Sequence, residues 1–159
     1  MARRFYSGFA AAVVSLLVLG VAVMAADSNI GTWKLNLAKS KFSPGPAPKS
    51  QTLKIEAWGT DGVKYTADGV DGDGKPMHWE LEAQYDGKFV PFKGNDDADM
   101  LAYKRIDANT VEATTTLNGK PSQTTKIVVS ANGKTRTLTQ TGKDAKGQTV
   151  HNVVVYDKQ

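Results

Sequence analysis

Met77-His78-Trp79-Glu80-Leu81-Glu82-Ala83-Gln84-Tyr85 alternates without a break between apolar and polar side chains. In an extended chain successive side chains point to opposite faces. Met77, Trp79, Leu81, Ala83 and Tyr85 therefore share one face, and His78, Glu80, Glu82 and Gln84 the other. A helix would scatter the same residues around its circumference. The stretch reads as a strand with one face in a core and the other in water.

The same period of two recurs on both sides of it, in Leu53-Ile55-Ala57, Val63-Tyr65-Ala67, Leu101-Tyr103, Val111-Ala113 and Val150-Val154-Tyr156. Turn signals separate these runs: Asp61-Gly62, Asp71-Gly72-Asp73-Gly74, Asp86-Gly87, Gly94-Asn95, Asp107-Ala108-Asn109, Asn118-Gly119, Asn132-Gly133 and Lys146-Gly147. Asn-Gly and Asp-Gly tolerate the positive φ of tight hairpins. Nothing after residue 26 shows a sustained helical period with caps.

Short strands joined by hairpins, repeated about eight to ten times, make an antiparallel up-and-down meander, and closing such a sheet removes its edges. The expected fold is all-β, a single up-and-down antiparallel barrel. The first strand is expected over Thr32 to Leu37. After it comes Ser43-Pro44-Gly45-Pro46-Ala47-Pro48, too rich in proline for a helix or a central strand. It reads as an irregular flap across one end of the barrel.

The chain has 159 residues, and the first 25 are built like a secretory signal peptide. Arg3 and Arg4 give a basic start, Phe9 to Val23 carries no charge, and Val23 and Ala25 supply small residues before the cut. Cleavage after Ala25 would leave residues 26–159 as one barrel domain, periplasmic or secreted. An uncleaved anchor is the competing reading, the apolar stretch being just long enough to span a bilayer at about 18 residues. Cysteine is absent, which excludes both a disulfide framework and a bacterial lipoprotein anchor. Losing Arg3 and Arg4 takes the basic count from 20 to 18 and the net charge from +4 to +2. The lysines are spread singly, not clustered as nucleic-acid binding requires, so no nucleic-acid partner is expected.

Gly31-Thr32-Trp33 at the start of the first strand resembles the Gly-x-Trp opening of lipocalins, shared by fatty-acid-binding proteins and avidins. Gly31-Thr32-Trp33-Lys34-Leu35 is closest to the fatty-acid-binding branch. Leu117-Asn118-Gly119-Lys120 through Thr124-Thr125-Lys126, then Asn132-Gly133-Lys134 and Val155-Tyr156-Asp157-Lys158, follow that branch's last four strands in order. Secreted bacterial lipocalin-like proteins, of the calycin superfamily, are the nearest group, through Gly-Thr-Trp-Lys-Leu-Asn and the Pro-rich flap. The resemblance implies that Trp33 closes one end of the barrel behind Gly31, packed against a basic residue from a late strand. After signal removal only Arg105 and Arg136 could supply an arginine there, and Arg136 is assigned to this closure. In the fatty-acid-binding branch two lid helices follow the first strand, and two inward arginines with a tyrosine hold the ligand's carboxylate. Here the flap replaces the helices, Val128 and Val154 align with the arginines, and Tyr156 alone remains. The resemblance so corrected implies an uncharged ligand.

Residues with catalytic chemistry are few. There is no cysteine, no Gly-x-Ser-x-Gly elbow and no phosphate loop, and His78 and His151 each fall out of phase with the apolar residues of their strands. No enzyme activity, cofactor or metal is expected. Asp68, Asp71 and Asp73 fail the EF-hand pattern, because Lys75 and Pro76 stand where a ligand and a glycine belong. Asp96, Asp97 and Asp99 read as turn residues, with a loose surface calcium site as the alternative.

The leading expectation is an exported, non-enzymatic binding protein for a small hydrophobic molecule held in the interior. Met77, Trp79, Leu81, Tyr85, Tyr103, Val128, Val154 and Tyr156 would wall the site, with no stable membrane anchor. The alternative is a filled barrel serving as a structural or interaction module of the cell envelope. An enzyme of the calycin type using Tyr156 or a histidine is a minor third.

Overall fold

The computed structural model describes residues 27–159. The expected signal peptide lies outside the described residues. Ten antiparallel strands follow one another: β1 (Gly31–Leu35), β2 (Ser50–Ala57), β3 (Gly62–Val70), β4 (Pro76–Gln84), β5 (Val90–Pro91), β6 (Met100–Arg105), β7 (Thr110–Leu117), β8 (Lys120–Val129), β9 (Thr135–Lys143) and β10 (Thr149–Lys158). Each pairs with its neighbour in sequence, with two exceptions. The first and last strands join directly, Trp33 opposite Lys158 and Leu35 opposite Tyr156. Between β4 and β5 no ladder forms: Glu80 and Lys93 exchange two backbone hydrogen bonds of 3.1 Å in one bridge, and a second bridge, Asp86 with Lys104, joins the end of β4 to β6. The result is a nearly closed barrel of the expected class.

That bridge depends on a glycine. At Gly94 (φ +78°) a Cβ would lie 2.0 Å from the His78 carbonyl oxygen, so only glycine lets the chain after β5 approach β4.

The alternation in the sequence becomes the inside and outside of the barrel. Leu53, Ile55, Val63, Tyr65, Ala67, Leu81 and Ala83 are buried, while His78 and His151 are exposed. Ala57, at the end of its run, is exposed as well. Trp33 has no exposed surface at all.

The first strand stops earlier than the sequence suggests. Asn36 turns the chain, its side-chain oxygen accepting the Lys39 N–H at 3.1 Å, and Leu37–Lys39 form a single 3₁₀ turn. The chain then returns to β10 above the end of β1. Lys41 and Val153 exchange backbone hydrogen bonds of 2.7 and 2.9 Å, and the His151 N–H donates to the Ser43 carbonyl at 2.7 Å. The Pro-rich flap thus starts from an anchored segment.

The opposite end is closed by residues ahead of β1. The Trp33 indole N–H donates to the Asn29 carbonyl at 2.8 Å, and Ser28 Oγ donates to the Ala108 carbonyl at 3.2 Å. The Lys158 ammonium lies 5.0 Å from the centre of the Trp33 ring. Gly31 takes φ +138°, a conformation that residues with a side chain rarely adopt, which favours glycine two residues before the tryptophan. The cation over Trp33 is therefore Lys158, not an arginine. Arg136 reaches the tryptophan only through Asn29, whose side-chain oxygen accepts its Nε–H at 3.4 Å.

Candidate functional site

Inside the barrel lies a cavity of about 500 Å³, reaching from the flap down to Arg136 and Tyr156. Drug-sized ligands occupy cavities from about 300 Å³ upward. The strand order places β3 and β4 across the barrel from β8 and β9, and the two sides differ in chemistry. On the first are Tyr65, Met77, Trp79 and Phe92, with Phe42 beside them. Phe92 packs edge-on against Tyr65 and Trp79, with ring centres 6.4 and 5.9 Å apart. On the second, Thr125 and the amides of Gln123, Gln140 and Asn152 face the same space.

Those amides are linked. Gln140 Nε2 donates to Gln123 Oε1, Asn152 Nδ2 donates to Gln140 Oε1 at 2.9 Å, and Asn152 Oδ1 accepts the Ser43 N–H at 2.9 Å. The chain of hydrogen bonds crosses β8, β9 and β10 and ends on the segment leading to the flap. The flap itself, through Pro44, Pro46 and Pro48, forms part of the mouth.

At the deep end Arg136 is 2% exposed and Gln51 4%. The Tyr156 hydroxyl donates to Gln51 Oε1, which leaves Gln51 Nε2 as the free end of that amide. Among the described residues neither Gln51 Nε2 nor Arg136 Nη1 has a hydrogen-bond partner. Among the described residues Arg136 forms no salt bridge, and residues 1–26 contain no carboxylate side chain. Burial raises the hydroxyl pKa of Tyr65, Tyr103 and Tyr156, so all three stay protonated at neutral pH, and nearby Arg136 offsets part of that rise. The deep end is a cluster of donors around one cation.

Five of the eight residues expected to wall the site line this cavity: Met77, Trp79, Tyr103, Val154 and Tyr156. Three do not. Leu81 belongs to the packed core. Tyr85, also buried, stacks under the Arg105 guanidinium at 4.0 Å and beside Tyr103 near the closed end. Val128 is only half buried and faces outward, because Gln123, Thr125, Ile127 and Val129 are the inward residues of β8. Aligning it with an inward arginine was a one-residue slip, which turns a whole strand over. Ile127 takes its place in the lining.

Sequence reasoning placed Arg136 with the closing tryptophan and missed that it also lines the cavity. Its signal was present: Arg136, Leu138 and Gln140 keep one parity along β9. Gln51 was missed too, although it precedes Leu53 and Ile55 at the same spacing.

The acidic turns tie neighbouring loops together. Asp97 Oδ1 accepts the Ala145 N–H at 2.9 Å, tying two loops across the mouth. Asp99 accepts the Thr116 hydroxyl at 3.1 Å and the Asn118 N–H at 2.6 Å.

No family model and no curated protein sequence matches the chain. Solved structures do. The chain is similar to the fluorescent protein UnaG, with a TM-score of 0.55 and 14% identity, over 83% of this chain and 98% of that one. It is also similar to the zebrafish ileal bile acid-binding protein complexed with cholic acid, with a TM-score of 0.50 and 12% identity, over 83% of this chain and 99% of that one. At these identities the likeness bears on the fold alone, a nearly closed antiparallel up-and-down β-barrel.

Proposed function

We propose that the chain is an exported, non-enzymatic binding protein that holds a small hydrophobic molecule with an acidic or strongly hydrogen-bond-accepting head. The observation that carries this reading is a pair of buried donors, Arg136 Nη1 and Gln51 Nε2, that have no hydrogen-bond partner among the described residues and belong to two residues lining one cavity. A buried donor left unpaired costs about 1–3 kcal/mol, and more when charged. A ligand oxygen that pairs with either donor removes its cost, and charge assistance makes the bond to Arg136 the strong kind. Apolar burial against Met77, Trp79 and Phe92 supplies the remaining affinity. That the similar zebrafish protein is complexed with cholic acid agrees with this use of the fold.

An uncharged ligand followed from a deep end without arginine, and Arg136 removes that premise. A filled structural barrel is the weaker reading, because about 500 Å³ exceeds what a filled interior leaves. Export rests on the composition of residues 1–25. Extraction and mass spectrometry of protein purified from its own host test the proposal. A copurifying apolar acid or carbonyl compound supports it. A protein that carries nothing and takes up nothing from a panel of lipids and apolar acids contradicts it.

A further inference from the structure

Asn29 lies ahead of the first strand, yet it is 3% exposed and bonds to Arg136, which lines the deep end of the cavity. Its side-chain oxygen accepts the Arg136 Nε–H at 3.4 Å, and the Tyr103 hydroxyl is a second neighbour of the guanidinium. Its own orientation is determined from behind. Asp27 Oδ1 accepts both the Asn29 backbone N–H, at 2.9 Å, and the side-chain Nδ2–H, at 3.3 Å. Asp27 Oδ2 in turn accepts from Arg105 Nη2 at 3.2 Å. If the Asn29 amide flipped, its oxygen would face the Asp27 carboxylate and its NH₂ would face the Arg136 Nε–H, two like-signed contacts replacing two attractive ones. The Asp27 carboxylate thus sets which end of the amide reaches the cavity cation.

An arginine side chain has many rotamers, but its guanidinium is planar. Holding Nε from one side leaves little freedom over where Nη1 points. From these contacts we infer that Asn29 is a positioning residue, fixed by Asp27, that holds the Arg136 guanidinium in the orientation it takes at the deep end of the cavity. This rests on reading Arg136 as the ligand's anchor. It makes the segment directly after the expected cleavage site part of the binding machinery, not only a plug for the closed end.

The test compares two probes that differ at the head alone, dodecanoate and dodecanol, titrated into the mature chain. Wild type binds the acid more tightly. In Asn29→Leu the acid-over-alcohol affinity ratio falls about tenfold, toward one, because an unaimed cation forfeits the charge-assisted bond, while dodecanol affinity holds. In an Arg136→Met background the same substitution changes the ratio no further. Should Asn29→Leu not fold, Asp27→Ala lowers the ratio in the same direction by a smaller factor. A folded Asn29→Leu that keeps the wild-type ratio, or loses affinity for both probes equally, overturns the inference and leaves the anchor intact. A wild-type ratio near one, or no uptake of either probe, overturns the anchor and this inference with it.

Discussion

Replacing Arg136 by methionine removes a cation that is 2% exposed and forms no salt bridge among the described residues. Exchanging buried charges for apolar groups of similar volume is often neutral or stabilising by about 1–4 kcal/mol. Arg136→Met is therefore expected to melt at or above the wild-type temperature while binding apolar acids at least about tenfold more weakly. A melting temperature several degrees lower, read by circular dichroism, would show that Arg136 serves the fold rather than the ligand. Asp27 has the opposite character. Burial works against its charge, but the Asn29 N–H, the Tyr85 hydroxyl and the Arg105 guanidinium outweigh it and hold the carboxyl below the usual carboxylate range. A carboxyl depressed in the folded state contributes stability above its unfolded pKa, about 3.9, and loses it as pH falls through the folded value. Melting curves should therefore show wild type losing an advantage over Asp27→Asn below about pH 4. An unchanged difference between the two across that range would remove Asp27 from the account.

At the scale of elements, the flap is held by two backbone pairings with β10 and by the Asn152 side chain on the Ser43 N–H. Asn152→Ala cuts both the link to Ser43 and the link to Gln140. Amide exchange at Ser43 should then accelerate by about tenfold, the loss of one hydrogen bond in a locally opening segment, while β6 and β7 keep their protection. Equal exchange at Ser43 in the two proteins would mean that the proline segment holds itself. The sequence shows the flap as an interruption and no more. Lys41-Phe42-Ser43 has no alternation to betray a strand, and its partner lies in β10, at the far end of the chain. Alternation did reveal β2, β3, β4, β6, β7 and β10, because each has one apolar face. The alignment with the fatty-acid-binding branch slipped at β8, where Val128 and Val129 are adjacent and apolar and only the register with β7 and β9 decides which one turns inward.

For the whole molecule, closure concentrates at two seams of unequal strength. The join of β1 to β10 packs Trp33 completely, whereas β4 and β5 meet through the Glu80 and Lys93 bridge. Trp33→Ala should cost about 3–5 kcal/mol, the usual range for a fully buried large aromatic, read as a shift in urea midpoint. A cost below about 1 kcal/mol would move the closing role elsewhere. The meander and its closure were legible because periodicity and turn chemistry are local. The chemistry of the cavity was not. Gln51, Arg136 and Tyr156 converge from β2, β9 and β10, and Asn29 reaches them from outside any strand. Their meeting depends on barrel closure, which no stretch of sequence displays by itself.

The central claim is that the interior holds an apolar molecule by a polar head at Arg136. Calorimetric titration of dodecanoate into the mature chain and into Arg136→Met tests it most directly. The account predicts saturable binding of one molecule per wild-type chain, with affinity reduced about tenfold or more in a variant that remains fully folded. Equal affinity in the two proteins, or no binding to the wild type, would contradict it.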